Sequence, residues 1–413
     1  MLDNGKAEGV RKIKRFEKYC LKDIATVSQG FTFSRLYQGK KNLKWNYFKV
    51  ADIGINPNSK YLTNAINTIS DITMEEIGAL PFPKGSIVFP RVGAALFNNN
   101  KKILAQDGVV DDNVLVLTVT DTSKCWYEFL YYYLQGIPLA KWCNSGLVPV
   151  INTKTVLSQM VFLPPLPEQQ KIAAILSIQD KVIELKEKLL AQKQQQKKYL
   201  MQQLLTGKKR LPGFGGEWKT IHLNEISCRI ETKNTVGNNN VLTISAQYGL
   251  INQTEFFDKV IASDNKSNYY LLSKDEFAYN RSYSKGYPYG TIKRLKRYVQ
   301  GVVSPLYICF AVNKKLASLD FLEQYFEASI INREIQSIVQ EGARNHGMLN
   351  VAVDDFFRIK ITMPEIEEQK EIAKILSTAD HEIDLLQKSI EAEKQKKKAR
   401  MQLLLTGKVR VKI

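Results

Sequence analysis

A chain of 413 residues, 44% of them hydrophobic, is long enough for two or three domains with ordinary globular cores. Its formal net charge of +18 at pH 7 predicts an anionic partner, with nucleic acid first and an anionic membrane surface second. No run of eighteen apolar residues, N-terminal signal or basic amphipathic helix occurs, so we expect a soluble, cytoplasmic protein without a membrane partner.

Residues 1–15 form a basic N-terminal tail, and residues 16–165 predict a first globular domain. Strand-like apolar runs such as 113–119 alternate in this domain with helix-like runs such as 127–135. The alternation predicts an α/β fold of the mixed α+β kind, with the strand order open at this point.

A long helix follows the first domain, within a segment that spans residues 166–211. Pro164, Pro165 and Pro167 exclude a helix upstream and suit the first turn of this one, and the Glu168 carboxylate in that turn complements the helix dipole. No Pro or Gly interrupts residues 168–205, and Gly207 provides a C-terminal stop. At 1.5 Å per residue, this helix spans roughly 57 Å.

The second half of the chain repeats this design at an offset of 200 residues. Residues 368–410 match residues 168–210 without a gap, and 22 of the 43 positions are identical. The second copy ends at Gly407, within a segment that spans residues 366–413. Residues 212–365 therefore predict a second domain, and the whole chain has a pseudo-twofold internal repeat.

Fainter matches extend the repeat into the two domains. Ile87–Arg91 resembles Phe277–Arg281, and Phe16 stands in the place of Trp218. We therefore predict two similar globular domains, each followed by one long helix.

Each long helix carries a row of apolar residues with a spacing of seven. The predicted helix–helix seam consists of Leu176, Ile183, Leu190 and Leu204 in the first helix and Leu376, Ile383, Ile390 and Leu404 in the second. Both rows are interrupted at the same heptad, by Lys197 and Lys397. Such rows are typical of a coiled coil, and each helix is the simplest partner of the other. The alternative is that each helix packs on its own domain.

No residue pattern predicts catalysis or a metal site. The cysteines and histidines are scattered, without a CxxC spacing, at Cys20, Cys125, Cys143, Cys228, Cys309, His222, His346 and His381. P-loop, GxGxxG, HExxH, GxSxG and NPPY- or DPPY-like sequences are absent. The pair Asp111-Asp112 is typical of a solvated turn, and His346 of a loop. We therefore predict no enzyme, no catalytic residue, no metal and no cofactor in this chain.

Four stretches rich in cations, amides and aromatic residues are typical of nucleic-acid-binding loops. Arg and Lys neutralise phosphates, Arg, Asn and Gln reach base edges, and Tyr stacks on bases or braces the loop. The alternative is that these stretches are ordinary surface loops of a basic protein. The predicted DNA-binding residues are Arg35, Tyr37, Gln38, Lys40, Lys41, Lys44, Arg91, Asn98, Asn99, Lys101, Lys102, Arg281, Tyr283, Lys285, Tyr287, Tyr289, Lys293, Arg294, Arg344, Asn345 and His346.

The motifs at the two ends of the helices are the most specific part of the sequence. The first helix is entered through LPPLPEQQKIAAIL at 163–176 and left through LTGKKRLPGF at 205–214, which leads to Trp218. With the repeat, these motifs resemble the specificity (S) subunit of type I restriction–modification systems, and the resemblance covers essentially the whole chain.

This resemblance implies two target-recognition domains, separated by two long conserved helices that pack antiparallel. Each domain would read one half of a split, asymmetric site on double-stranded DNA, and the helices would set the unread spacer and dock two modification (methyltransferase) subunits. It also implies that S-adenosylmethionine, ATP and magnesium belong to partner subunits. Restriction subunits would join through the modification subunits.

Three functions are compatible with these patterns. We favour a DNA-specificity subunit without catalytic activity over a stand-alone methyltransferase or nuclease, and over a coiled-coil scaffold or RNA-binding adaptor. The first function predicts DNA binding that weakens steeply with salt, because phosphate contacts release counterions.

Overall fold

The computed structural model describes residues 16–55, 59–144, 146, 148–245, 248–256, 266–283, 286–339 and 348–412. The chain divides into two compact units. Unit 1 comprises the residues up to Lys188 together with those from Gln387 onward, and unit 2 comprises Leu189–Leu386. The predicted basic tail at 1–15 lies outside the described residues.

Unit 1 is built, in its described part, from short strands, short helices and a part of one long helix. Its strands are β1 (Glu17–Cys20), β2 (Ala25–Gln29), β3 (Trp45–Phe48), β4 (Tyr61–Leu62), β5 (Asn67–Ile69), β6 (Ile87–Pro90), β7 (Lys102–Leu104), β8 (Val109–Val110), β9 (Val114–Val119) and β10 (Met160–Leu163). Its helices are α1 (Val50–Ile55), α2 (Asp71–Glu76), α3 (Tyr127–Gln135), α4 (Thr153–Leu157) and the first part of α5 (Leu166–Leu204). Short 3₁₀ helices span Leu21–Asp23, Arg35–Tyr37, Ala94–Asn98 and Leu139–Trp142.

Unit 2 has the same kinds of element. Its described strands are β11 (Lys219–His222), β12 (Ser227–Arg229), β13 (Leu242–Ser245), β14 (Gly249–Asn252), β15 (Tyr270–Ser273), β16 (Phe277–Asn280), β17 (Thr291–Arg294), β18 (Gln300–Val303), β19 (Ile308–Val312) and β20 (Lys360–Met363). Its helices are α6 (Leu223–Ile226), α7 (Gln253–Phe256), α8 (Leu319–Glu327), α9 (Asn332–Ile338), α10 (Val353–Phe357) and the first part of α11 (Ile366–Leu404). The last part of α5 belongs to unit 2, and the last part of α11 to unit 1.

The main sheets of the two units share one topology. The strand order is β2-β9-β6-β7 in unit 1, extended by β4, and β12-β19-β16-β17 in unit 2. Among the four shared strands, each pair of neighbours is antiparallel in both units, whereas β4 is parallel to β7. A separate antiparallel pair joins β1 to β10 in unit 1 and β11 to β20 in unit 2. The predicted mixed α/β fold with an internal repeat is confirmed.

Continuous apolar runs place the central strands of these sheets in the core. All four residues of β6 are buried, as expected for a strand that is covered on both faces. Ile87 and Phe89 belong to a buried cluster with Phe129 of α3, whereas Val88 belongs to a second cluster with Phe48 of β3. The alternation of side chains along a strand therefore divides the core of unit 1 into two layers.

The smaller sheets differ between the units. In unit 1, β3 lies between β5, to which it is antiparallel, and β8, to which it is parallel. In unit 2, β13 pairs with β14 and β15 pairs with β18, as separate antiparallel pairs. The two halves thus combine a common main sheet with unlike second sheets.

A buried glutamine near the start of each long helix is hydrogen-bonded to the residue that precedes a short helix. Gln169, near the start of α5, accepts a hydrogen bond from the Trp126 N–H at 2.8 Å and donates to the Pro164 carbonyl at 2.8 Å. Gln369 of α11 accepts from the Ser318 N–H at 2.8 Å in the same way. The entry motif therefore sets the position of each long helix against its own unit.

The start of α5 lies beside the end of α11 in unit 1. Arg410 donates from Nε and Nη2 to the buried Glu168 carboxylate at 2.8 and 2.6 Å. Further along, Lys397 pairs with Asp180 at 2.5 Å. Because residue numbers rise along α5 as they fall along α11, the two helices are antiparallel.

Unit 2 repeats these contacts with the roles of the helices exchanged. Arg210 donates from Nε and Nη2 to the buried Glu368 carboxylate at 2.8 and 2.7 Å. Lys197 pairs with Asp380 at 2.5 Å. The antiparallel pairing of the helices is confirmed, and the lysine that interrupts each apolar row has an aspartate partner on the other helix.

The ends of the predicted apolar rows belong to the globular cores. Leu176 and Leu404 lie in the same buried cluster as Phe129 in unit 1, and Leu204 and Leu376 lie in one cluster in unit 2. The middle of the rows is covered unevenly: Ile183 and Ile390 are buried, whereas Leu190 and Ile383 are half-buried. The packing of each helix on globular domains therefore accompanies the pairing of the helices.

A glycine terminates each long helix under an aromatic ring. Gly207 and Gly407 have φ angles of 68° and 72°, in the left-handed region that favours glycine. The ring of Trp218 packs against Gly207 in unit 2, and the ring of Phe16 packs against Gly407 in unit 1. The arginine that follows each glycine lies over the same ring, 5.9 Å from its centroid in unit 2 and 5.1 Å in unit 1. Phe16 thus takes the place of Trp218.

We expect Gly407→Ala to destabilise unit 1 by about 1–2 kcal/mol, because the new Cβ adds both a strained φ and a contact of 3.1 Å with the Phe16 ring. Gly213→Ala is the matched control, since Gly213 has a φ of 88° but no heavy atom within 4 Å of the added Cβ. Urea unfolding followed by circular dichroism measures both losses. Equal losses in the two variants would show that the ring contact contributes nothing.

Candidate nucleic-acid interface

A loop of unit 1 between β2 and β3, residues 34–44, holds a cluster of the predicted DNA-binding residues on a fixed backbone. Asn67 of β5 accepts a hydrogen bond from the Gly39 N–H at 2.8 Å, and the Thr68 hydroxyl accepts from the Leu43 N–H at 3.0 Å. The Thr68 N–H donates to the Lys40 carbonyl at 2.9 Å. These bonds engage the main chain, so the loop is held in place while its side chains project from it.

The loop brings together cations, an amide and an aromatic ring. Its exposed predicted residues are Arg35, Gln38, Lys40, Lys41 and Lys44. Tyr37 is half-buried, with its ring centroid 6.2 Å from that of Phe33 and 5.6 Å from the Lys40 ammonium group. A hydrogen bond to Glu76 raises the pKa of Tyr37, so its phenol is neutral. This arrangement suits phosphate contacts from the cations and a base-edge contact from the amide.

Lys44, at the end of the loop, has a partner within the unit. Its ammonium group lies 2.8 Å from the Asp71 carboxylate, which also accepts a hydrogen bond from Trp45 Nε1 at 2.7 Å. The hydrogen bonds from Lys44 and Trp45 hold the pKa of Asp71 below its usual value. Lys44 therefore adds less net charge to the loop than Lys40 and Lys41 do.

Arg91, Asn98 and Asn99 lie elsewhere in unit 1, just after β6 and around the 3₁₀ helix that follows it. Asn98 is exposed and Arg91 is half-buried. Asn99 accepts hydrogen bonds from the Leu139 N–H at 2.9 Å and from the Lys101 ammonium group at 2.7 Å. Asn99 is thus engaged within the fold, whereas the side chains of Asn98 and Arg91 are accessible.

Lys101 and Lys102 are each only 2% exposed. The Lys101 ammonium group also donates to the Ile137 carbonyl at 2.9 Å, and the Lys102 ammonium group donates to the Ser59 carbonyl. Burial lowers the pKa of Lys101 to about 7 and that of Lys102 to about 8. Their interior position is at odds with the prediction that they contact DNA, because a hydrogen-bonded ammonium group inside the fold does not reach a phosphate.

The predicted arginines of unit 2 also bind within the fold. Arg281 donates from Nη1 to the Val351 carbonyl at 3.0 Å and from Nη2 to the Leu306 carbonyl at 2.9 Å. Arg294 is 9% exposed and pairs with Asp320 at 2.7 Å. These contacts are at odds with a role in contacting DNA, since both guanidinium groups already bind carbonyl or carboxylate groups of the same unit.

The other predicted residues of unit 2 are divided between internal and exposed positions. Tyr287 donates to Glu327 at 2.8 Å, and Lys293 pairs with the same carboxylate. The Tyr289 carbonyl accepts a hydrogen bond, and Tyr283 is 64% exposed. The remaining predicted residues, Lys285, Arg344, Asn345 and His346, lie outside the described residues. Tyr283 is therefore the described candidate of unit 2 that is most accessible to a partner.

The predicted site leaves out four ion-paired residues, although the sequence contains a signal for them. These residues are Asp180, Asp380, Lys197 and Lys397. Each aspartate and each lysine recurs at the same place in both copies of the helix. A lysine within an apolar row requires an acidic partner when the row is covered. Identical residues of opposite charge in two antiparallel copies thus identify reciprocal ion pairs.

Two features are absent from the part of the chain that the structure describes. No three or more His, Cys, Asp or Glu side chains converge to hold a metal ion. No described helix has both the length and the apolar character needed to cross a bilayer.

A family described as “Type I restriction modification DNA specificity domain” matches residues 13–195 and, a second time, residues 216–394. The chain belongs to this family of type I restriction–modification specificity proteins. The double match follows the internal repeat, with one copy of the family domain in each half.

Two members of the specificity family from Methanocaldococcus jannaschii are similar to the chain. The putative type I restriction enzyme MjaX specificity subunit is 24% identical over 427 residues, covering 95% of this chain and 93% of that protein. The type I restriction enzyme MjaVIII specificity subunit is 25% identical over 302 residues, or 64% of this chain. The chain spans 65% of the length of that second relative.

Solved structures of the specificity family share the fold of the chain. The crystal structure of the type I restriction–modification system S subunit from M. genitalium has a TM-score of 0.58 at 13% identity, and covers 96% of this chain and 98% of that one. A chain from a structure on complex assembly and conformational transition of the type I system has a TM-score of 0.54 at 12% identity, with coverages of 96% and 98%. At such low identity, the likeness concerns the fold.

We expect the stability of the protein to rise with pH between about 7 and 10, in part because of Lys101. Its folded pKa of about 7 lies below the unfolded value of about 10.4, so in this window the unfolded chain binds more protons. One such group contributes up to about 1.4 kcal/mol per pH unit. Lys101→Met removes this contribution, whereas Lys141→Met, at an exposed position, keeps it. Urea unfolding at several pH values would contradict this account if the two variants had the same slope.

Proposed function

We propose that the chain is the non-catalytic DNA sequence-specificity subunit of a type I restriction–modification complex. In this proposal each recognition domain reads one half of a bipartite, asymmetric site on double-stranded DNA. The observation that carries the proposal is a common main sheet combined with unlike second sheets, β5-β3-β8 in unit 1 and the pairs β13-β14 and β15-β18 in unit 2. Two copies of one scaffold with different surfaces suit two half-sites of different sequence.

The loop at residues 34–44 supplies chemistry for the first half-site. Arg35, Lys40 and Lys41 are exposed cations within a short stretch of main chain that β5 holds in place. Such cations neutralise phosphates and fix the register of a protein on a duplex, while an exposed amide such as Gln38 distinguishes base edges in the major groove. Arg91 and Asn98 are accessible candidates of the same unit for further contacts.

The long helices supply equivalent docking positions for two modification subunits. Leu185 is 53% exposed in unit 1, and Leu385, its counterpart in the repeat, is 52% exposed in unit 2. Large apolar side chains left exposed at matching positions favour two copies of one partner over a single partner. We assign to the same helices the setting of the unread spacer.

The chemistry of modification and cleavage belongs, in this proposal, to the partner subunits. S-adenosylmethionine would be bound by the modification subunits, and ATP and magnesium by the partners, with restriction subunits joining through the complex. The specificity subunits that the chain resembles support this division, since their names assign to them the choice of site.

We expect the double variant Lys40→Ala/Lys41→Ala to weaken DNA binding about tenfold at moderate salt, whatever the sequence of the duplex. Loss of two phosphate contacts should also reduce the slope of log K against log salt concentration by about 1.8. Lys22→Ala/Lys154→Ala removes the same charge from exposed positions of the same unit and should change neither quantity. Fluorescence anisotropy with a labelled duplex measures both. Equal effects of the two double variants, or displacement of the duplex by structured RNA, would contradict the proposal.

We expect replacement of residues 16–165 by the corresponding domain of another family member to change one half-site only. The second domain and both helices remain, so the other half-site and the spacer should stay the same. Genome-wide mapping of methylated positions, in cells that also contain the partner subunits, reads out both halves. A chimera that altered both halves would refute the assignment of one half-site to each domain.

A further inference from the structure

Unit 1 contains a cavity of about 750 Å³ that the DNA-specificity function does not use. Its wall is formed by residues 99–101 before β7, by the end of α3, and by the last part of α11. A volume of roughly 300–1,000 Å³ is typical of small-molecule sites. All of the lining residues belong to unit 1, so the cavity is a property of this unit alone.

The wall of the cavity carries an excess of positive charge. The lining contains a single carboxylate, that of Asp180, and four lysines, which are Lys101, Lys394, Lys397 and Lys398. Asp180 neutralises Lys397 at 2.5 Å, and Glu187, outside the lining, neutralises Lys394 at 2.7 Å. Lys398 keeps a positive charge that neither acid compensates, whereas Lys101 is hydrogen-bonded inside the fold and is only partly charged at neutral pH, because burial lowers its pKa to about 7. The remaining excess favours an anionic ligand.

Neutral hydrogen-bonding groups and apolar surface complete the wall. Asn100 and Gln402 offer amide donors, and Tyr131 and Met401 offer apolar surface. The Thr406 hydroxyl donates to the Gln402 carbonyl within α11 and its exit. Oxyanions with several acceptor oxygens match such a combination of ammonium and amide donors. The apolar part of the wall suits a ligand that also has an uncharged portion.

Two positions that line the cavity hold residues of different charge in unit 2. Lys102 pairs with Val88 across β6 and β7 as Lys293 pairs with Ala278 across β16 and β17, so Lys101 corresponds to Ile292. The last residue of α3, Gln135, corresponds to Glu327, the last residue of α8. Ile292 and Glu327 line a space of only about 10 Å³, to which neither long helix contributes a lining residue. The positions that give the cavity of unit 1 a lysine and a neutral amide thus hold an apolar residue and a carboxylate in unit 2.

We propose that the cavity of unit 1 is a binding site for a small phosphorylated molecule of about nucleotide size. The phosphate groups would lie toward Lys398, and the uncharged portion toward Tyr131 and Met401. Because Ile292 and Glu327 stand in unit 2 at the positions of Lys101 and Gln135, we expect the chain to bind one such molecule.

Calorimetric titration of the full chain tests this site with adenosine diphosphate and inorganic tripolyphosphate as probes. A short DNA duplex, titrated separately, represents the other source of phosphate groups. We expect saturable binding of both small probes with one site per chain, and Lys398→Glu should weaken it at least tenfold.

Lys198→Glu is the matched control, since Lys198 is the counterpart of Lys398 in the repeat, is equally exposed, and does not line the cavity. It should leave the affinity unchanged. The variant Lys101→Ile/Gln135→Glu gives the wall two residues found in unit 2 and should abolish binding, with circular dichroism as the test of its folding.

Three results would overturn the proposal. These are the absence of saturable binding of either small probe, an equal loss of affinity in the Lys398→Glu and Lys198→Glu variants, and an effect of Lys398→Glu on duplex binding alone. The first two would show that the cavity has no affinity of its own for phosphates. The third would assign its charge to nucleic acid.

Discussion

Two buried carboxylates, those of Glu168 and Glu368, hold the ends of the long helices in place, and both are at most 1% exposed. A buried carboxylate costs several kcal/mol unless it is paired and hydrogen-bonded. Burial raises the pKa of Glu168, but the hydrogen bonds from Arg410 and the Val411 N–H outweigh it and hold the pKa below its usual value. Each glutamate therefore depends on an arginine from beyond the end of the other helix.

The same glutamate–arginine contacts hold the ends of the long helices in both units. The rest of each unit can therefore differ in structure. The main sheet, the glutamine near the start of each long helix and the arginine just after its end recur in both units. The second sheets and the loops around them do not recur, and the loop at 34–44 has its cations outside the core. The shared sheet and helix contacts are separate from the second sheets and loops. The binding surface of one half can therefore change without loss of the helix pairing.

The helices and the repeat could be predicted from the sequence because proline, glycine and the apolar spacing of seven act locally. Local patterns do not predict the partners of Lys197 and Lys397, since each partner is about 200 residues distant along the chain, and only a comparison of the two antiparallel copies identifies them. The polar run that contains Lys101 is typical of a surface loop, yet pairing of β7 with β6 carries its lysines inside, where carbonyl groups accept hydrogen bonds from their ammonium groups. The predicted boundaries at 165 and 365 stay predictions, and the compact units instead divide each long helix.

The discontinuity of unit 1 has a consequence for biosynthesis. Unit 2 is one uninterrupted stretch, Leu189–Leu386, whereas unit 1 needs residues from Gln387 onward to cover its core and to bring Arg410 to Glu168. On the ribosome, the first recognition domain therefore emerges early but is completed late, after the second has all of its own residues. In a nascent chain, Glu168 therefore stays unpaired until α11 and Arg410 have left the exit tunnel.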